Sequence, residues 1–359
     1  MKSLLVLSVF IFQAITGFSQ LIDIESVEFD PVGHRWFVSN GNSIATMQTG
    51  GEATNWGDVP TANYGMEIFN NHLFAIHNNS LEIYDLELGS IISDEEPAGA
   101  QFLNGMASDG EGMLWISDFG SGEIYVVDVS NLEDPEWTTL DLTTNLGSPN
   151  GLWYSPEDEL LYAVQWGPNA SLFVIDPVAE TVIDEISTGL GSIDGLVRDE
   201  EGNFYMSSWS PQQITRFTPD FSSSDVIVVP GLSNPADIDL AWEIDTLAIP
   251  NTGSDEVIFV GITPPVSVSE KYSEDRLEVY PNPITSQSKI EFYNRKSGHL
   301  EMTLANSRGQ VEEVLCDGHF PQGGVTVYFA ALNLNPGTYF LTIREESGKQ
   351  STKKIVVAN

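Results

Sequence analysis

The sequence predicts an all-β chain: a six-bladed β-propeller closed by its own N-terminal strand, followed by a small C-terminal β-sandwich. Three observations predict it. A short template recurs six times between residues 24 and 238, with intervals of 39, 40, 46, 44 and 42 residues, the length of one four-stranded blade. Amphipathic helical periodicity is absent, and the turns are built of Gly, Asn, Asp and Pro. Charge breaks sharply near residue 270: residues 21–269 hold 41 acids and three bases (Arg35, Arg198 and Arg216), whereas residues 270–359 hold 11 acids and ten bases.

Residues 1–19 read as a secretory signal peptide. Met1-Lys2 gives a positive start, residues 4–12 are apolar, and Thr16-Gly17-Phe18-Ser19 offers small residues before Gln20. No other stretch reaches about 18 consecutive apolar residues, so no transmembrane span is expected in the mature protein.

Residues 20–263 carry the propeller repeat. Its first strands contain Ile24-Glu25-Ser26-Val27, Asn63-Tyr64-Gly65-Met66, Leu103-Asn104-Gly105-Met106, Pro149-Asn150-Gly151-Leu152, Ile193-Asp194-Gly195-Leu196 and Pro235-Ala236-Asp237-Ile238. A turn and an apolar strand follow each, from Trp36-Phe37-Val38 to Leu247-Ala248-Ile249. The last unit supplies about three strands, and the orphan stretch Gln20-Leu21-Ile22-Asp23-Ile24 is the expected fourth, since a ring must close or leave sheet edges open.

The second residue of each template should sit around one mouth of the propeller. Those residues are Glu25, Tyr64, Asn104, Asn150, Asp194 and Ala236: two carboxylates and two amide oxygens with no Lys, Arg or His among them. Such oxygen donors suit a hard divalent cation, calcium rather than zinc. The ends of the second strands give another set, Ser39, His77, Asp118, Gln165, Ser208 and Pro250, with Trp166 and Trp209 just beyond. His77 and Asp118 read either as acid/base groups or as turn caps. Trp166 and Trp209 read either as pocket walls or as cover for blade interfaces.

These units resemble the calcium-dependent six-bladed hydrolases, the gluconolactonase/regucalcin (senescence marker protein) family and, more distantly, the paraoxonases and diisopropyl fluorophosphatase. The resemblance covers roughly residues 20–265 and is strongest at Pro149-Asn150-Gly151-Leu152 and Asp194-Gly195-Leu196. It implies that Glu25, Asn104, Asn150 and Asp194 hold or surround a catalytic Ca2+ (or another divalent cation), with Asp194 or Glu25 as general base. The implied reaction is hydrolysis of a lactone or related ester. Tyr64, His77, Asp118, Trp166 and Trp209 are the candidate substrate pocket. Tyr64 stands where paraoxonases place a catalytic His, and no arginine matches the one that many gluconolactonases use to hold a sugar acid. The alternative is a non-catalytic surface propeller that binds glycan or protein, its metal structural or absent.

Residues 264–273 read as a linker and residues 274–359 as a second domain of alternating apolar and polar residues. Its Tyr280-Pro281-Asn282-Pro283 opening, Gly337-Thr338-Tyr339 strand and Lys353-Lys354-Ile355-Val356-Val357 end resemble the C-terminal sorting domain of the type IX (Por) secretion system of Bacteroidota. That implies a partner in the secretion machinery and a protein released or held at the outer cell surface. The formal net charge of −38 excludes ordinary nucleic-acid partners, because a polyanion would be repelled. One cysteine, Cys316, excludes an internal disulfide and Cys-rich zinc sites.

Overall fold

The computed structural model describes residues 20–57, 61–262, 277–284, 288–294, 296–320, 323–328, 334–346 and 348–357. The expected signal peptide and linker lie outside the described residues.

Apart from one short 3-10 turn at Trp242–Ile244, every regular element described is a strand. The first three template repeats form separate four-stranded antiparallel groups, each ordered as the chain runs. They are Ile24–Asp30, Arg35–Asn40, Ser43–Met47 and Thr54–Asn55; then Met66–Phe69, His72–His77, Ser80–Asp85 and Ile91–Glu95; then Leu103–Ser108, Met113–Asp118, Glu123–Asp128 and Glu136–Thr139. The fourth and fifth groups share one long strand, Thr181–Arg198, which ends one and begins the next. The sixth has three strands, Asp239–Ala241, Thr246–Asn251 and Glu256–Gly261. Gln20, Leu21 and Ile22 carry no strand pairing, so the expected fourth strand is not formed as a ladder among the described residues.

The sequence dictates these groups locally. Turn carboxylates bind the backbone that reverses direction: Asp30 Oδ1 accepts from Val32 and Gly33 N–H, and Asp109 Oδ1 from Glu111, Gly112 and Met113 N–H. Second strands such as Arg35–Asn40 and Met113–Asp118 are buried almost continuously, because both of their faces are covered.

The apolar core lies between successive groups. Phe37 and Ile44 of the first pack with Leu73 and Ala75 of the second; Phe74 and Ile83 pack with Met106 and Ile116; Ala107 and Trp115 with Leu161 and Ala163. The sequence of layers continues through Tyr162 and Val164 against Met206, then Tyr205 and Ile214 against Ile249, and finally Ala241 and Ala248 against Trp36 and Val38. Each fully buried large side chain contributes about 1.5–3 kcal/mol. First strands touch first strands of the neighbouring groups, including Ile24–Asp30 against Asp239–Ala241.

In the tail, Val311–Phe320, Gly298–Asn306, Gly337–Glu345 and Gln350–Val357 form one sheet. Glu278–Tyr280, Lys289–Asn294 and Gly323–Tyr328 form another, which continues by parallel pairing onto Ser224–Val228 of the fifth group. Val279, Ile290, Leu300, Met302, Leu341 and Ile355 share one core between them. Cys316 is partly buried there, and burial pushes its thiol up to about 12.

Candidate functional site

The template residues meet because of what stands beside them. In four groups the next residue is glycine. A Cβ on Gly65 would lie 2.7 Å from the Asn104 carbonyl oxygen, and one on Gly195 would lie 2.8 Å from Asp237 Cα. At Gly105 and Gly151 it would come closer still to the carbonyls of Asn150 and Asp194. Glycine is therefore needed for neighbouring first strands to approach. Serines bridge the same contacts: Ser117 Oγ accepts from Gly105 N–H and donates to Asn150 O (2.7 Å), and Ser207 Oγ accepts from Gly195 N–H and donates to Ala236 O (2.6 Å). On the last side Asp237 N–H donates to Glu25 O at 2.9 Å, and Ser26 Oγ donates to Asp237 Oδ2 at 3.0 Å. Backbone contacts thus run from Gly65 through Asn104, Asn150, Asp194 and Asp237 to Glu25.

Asn104, Asn150 and Asp194 are buried. Burial, then the charges of Glu25 and Asp237, hold the Asp194 carboxyl well above the usual range. Burial and then Asp237 raise Glu25 to about 7, against a small lowering by the Thr252 hydroxyl. Burial raises Asp237 to about 7 as well, although its bond from Ser26 works the other way. Tyr64 is raised by burial and then by Glu25, which places its phenol within electrostatic reach of that carboxylate. Asp194 Oδ1 is buried without a hydrogen-bond partner, and so is Trp209 Nε1. The Trp209 indole lies near enough to Asp194 to favour its ionised form, yet no hydrogen bond of good geometry joins the two.

The strand register corrects the expected second set. A bulge places Asn40, not Ser39, opposite Ile24, and Pro235 bridges to Asn251, not Pro250. Ser39 instead matches Ser117 and Ser207, accepting from Ser26 N–H at 2.8 Å. The corrected position carries capping side chains. Asn40 accepts from Ile22 N–H and Asn251 from Ser233 N–H, while Gln165 donates to Leu146 O. Asp118 accepts from the N–H groups of Gln101, Phe102, Gly120 and Ser121 at 2.8–3.0 Å; these hold its carboxyl below the ordinary value although burial opposes them. His77 Nδ1 lies 3.1 Å from Glu82 Oε1, in a network that Tyr84 and Thr61 complete. Asp118 thus holds the turns around it, while His77 is tied to side chains of its own strand group.

Trp166 and Trp209 pack edge to face at 4.9 Å and are partly exposed. The three arginines of the repeat region are bound elsewhere, Arg35 to Asp30 at 3.0 Å, Arg198 to Asp158 at 3.2 Å and Arg216 to Asp225 at 2.7 Å.

Sequence reasoning missed Asp237, which occupies the position filled by glycine in four other groups; an acid there was the available signal. It also missed a second carboxylate cluster further along the first strands, Glu28, Glu67 and Asp239, all raised primarily by burial. Among the described residues no group of three His, Cys, Asp or Glu side chains is arranged to hold a metal by itself. A cation at the mouth therefore depends on the amide oxygens of Asn104 and Asn150. The set fits a hard cation, because it offers only oxygen donors and includes one buried, unpartnered carboxylate oxygen.

Residues 34–247 match the family model described as SMP-30/Gluconolactonase/LRE-like region, and residues 278–358 match the secretion system C-terminal sorting domain. A comparison with curated proteins found no match. Among solved structures, a nidogen/laminin complex aligns with a TM-score of 0.54 at 15% identity, covering 64% of this chain and 89% of that one. Virginiamycin B lyase from Staphylococcus aureus gives 0.47 at 14% identity over 67% and 85% of the two chains. The extracellular domain of a putative hybrid two-component system from B. thetaiotaomicron gives 0.45 at 14%, over 94% of this chain and 50% of that one. At these identities the likeness concerns the all-β, propeller-like fold alone. The sorting domain directs the protein by type IX secretion to the cell surface or the outside, and among the described residues no helix is long and apolar enough to cross a membrane.

Proposed function

The chain belongs to the SMP-30/Gluconolactonase/LRE-like family, and from that premise we propose an exported, calcium-dependent hydrolase of lactones or related esters. Residues 20–263 are its six-bladed propeller, residues 264–273 a linker, and residues 274–359 the sorting domain, a small β-sandwich. Strand groups one to six are the blades. The ring closes between the first and the last through the Ser26–Asp237 bridge, the Asp23 N–H bond to Asp255 Oδ1 and the Thr252 bond to Ile24 O. Residues 1–19 are the signal peptide.

The observation that carries the activity is the succession of Asn104, Asn150, Asp194 and Glu25 on touching first strands, with Asp194 Oδ1 left unpartnered. Glu25, Asn150 and Asp194 would hold the cation, with Asn104 as ligand or orienting group. Bound there, the ion would polarise the substrate carbonyl and stabilise the developing oxyanion. The chain's own contribution is proton handling in an enclosed site. Glu25, the candidate general base, accepts a proton from the attacking water. The water oxygen bonds to the carbonyl carbon, the acyl–oxygen bond breaks, and the proton held at Glu25 passes to the leaving alkoxide.

The test is calcium-dependent turnover of a panel of lactones, aryl esters and phosphotriesters, compared with Asp194→Ala and Asn150→Ala. Loss of about 100-fold or more, with the fold retained, is expected from removing a charge-stabilising group at the reaction centre. No turnover on the whole panel, accompanied by tight carbohydrate binding, would identify a binding propeller instead.

A further inference from the structure

Five aromatic rings touch in succession along the template mouth. Tyr64 meets Phe102 at 4.9 Å, Phe102 meets Phe119 at 5.4 Å, Phe119 meets Trp166 at 6.0 Å, and Trp166 meets Trp209 at 4.9 Å. All four are edge-to-face contacts, with interplanar angles of 64–75°. Every one of the five residues keeps accessible surface. The two ends of the arc reach the template positions: Tyr64 is itself a template residue, and Trp209 follows Ser208, which pairs with Ile193 beside Asp194.

The arc is built into the repeat. Phe119, Trp166 and Trp209 each follow the capping residue at the end of a second strand (Asp118, Gln165 and Ser208), so three consecutive groups place a ring at one position. In the other three groups that position holds Gly41, Asn78 and Thr252, which leaves the opposite side of the mouth polar. Packing does not require the rings there, since half of the groups manage without them.

We propose that this crescent selects the substrate, and that the substrate is a neutral aryl ester or aryl-fused lactone whose flat ring lies against the aromatic faces while its carbonyl reaches Asp194. The inference rests on the hydrolase reading for the word substrate, but the binding it describes does not need turnover. A sugar-acid ligand is disfavoured because the three arginines of the repeat region are already paired with Asp30, Asp158 and Asp225.

Binding is read on the full chain with calcium present, by intrinsic tryptophan fluorescence during titration with a benzo-fused δ-lactam, an isostere that is not hydrolysed. Saturable quenching is expected, weakened about tenfold or more by Phe119→Ala. Phe119→Leu, which keeps apolar volume and loses the ring face, should fall between. A polyhydroxylated sugar-acid δ-lactam should not compete. Equal affinity for the two lactams, or wild-type affinity in both Phe119 variants, overturns the proposal. If the aryl lactam binds while no ester is turned over, the crescent stands and the hydrolase reading fails. Turnover of sugar lactones without aryl binding has the opposite meaning.

Discussion

Two carboxylate clusters lie on the same first strands and face opposite fates. At the mouth are Glu25, Asp194 and Asp237; further along are Glu28, Glu67 and Asp239, each three residues on from a template position. Burial raises the pKa of every one of the six. In the inner cluster the protein's own donors satisfy each acid: Ile68 N–H bonds Glu28 Oε1 at 3.2 Å, Ser108 Oγ bonds Glu67 Oε2 at 2.9 Å, and Phe29 N–H bonds Asp239 Oδ2 at 2.8 Å. At the mouth Asp194 Oδ1 has no donor of good geometry, Asn150 lies on the neighbouring first strand, and the aromatic arc begins next to it. A perturbed acid alone therefore does not mark a site. The unmatched oxygen, standing among other oxygen donors, is what supports the proposed site, because a buried acceptor without a partner costs about 1–3 kcal/mol unless something fills it.

The sharpest way to break this comparison is to neutralise one acid in each cluster. Asp194→Asn should abolish the rise in melting temperature that calcium gives the wild type, whereas Glu67→Gln should leave that rise intact. Thermal melts with calcium and with chelator read both, and an equal response in the two variants would erase the distinction.

A smaller effect is expected from the backbone that brings the mouth together. Gly151→Ala drives a methyl group into the Asp194 carbonyl, where only backbone can yield. Overpacking of this kind costs about 1–3 kcal/mol, and chemical denaturation should show it as a lower midpoint with an unchanged slope.

The smallest is the share of Glu67 in a pH effect to which all six raised acids contribute. Glu67 is raised from 4.5 to about 8 in the fold, so the native state binds its proton more tightly than the unfolded chain does. The stability this contributes is complete below about pH 4.5 and disappears as pH rises through about 8. In chelator, the melting temperature should therefore fall between pH 5 and 8. Glu67→Gln, which keeps an acceptor for Ser108, should flatten that fall by about 5 °C. An unchanged slope would mean that Glu67 is not protonated in the native state.

Much of this was legible along the chain. The second strands at Trp36, Leu73, Leu114, Leu161, Phe204 and Leu247 stand where apolar runs and Asp-Gly turns placed them, because β-branched and aromatic residues bounded by turn formers have few other ways to pair. Glu25, Asn104, Asn150 and Asp194 hold one position of one template, and they lie on successive first strands. The second set failed at Ser39 and Pro250, which stand one residue before the place that Asp118, Gln165 and Ser208 hold in their ladders. Asp237 was hidden by counting Ala236 as the sixth member, and Glu28, Glu67 and Asp239 by stopping at the mouth.

By itself the sequence determined the all-β class, the repeat length, the acidic and near-neutral parts and the sorting tail, because each is a property of composition or of short spacing. Only the tertiary structure decided which acids are paired and which is orphaned, that Asp118 holds turns while His77 pairs with Glu82, and that five rings separated by up to 145 positions touch in one arc. The reason is geometric: hydrogen-bond partners and desolvation depend on which strands lie side by side, and glycines one residue beyond the template set that approach.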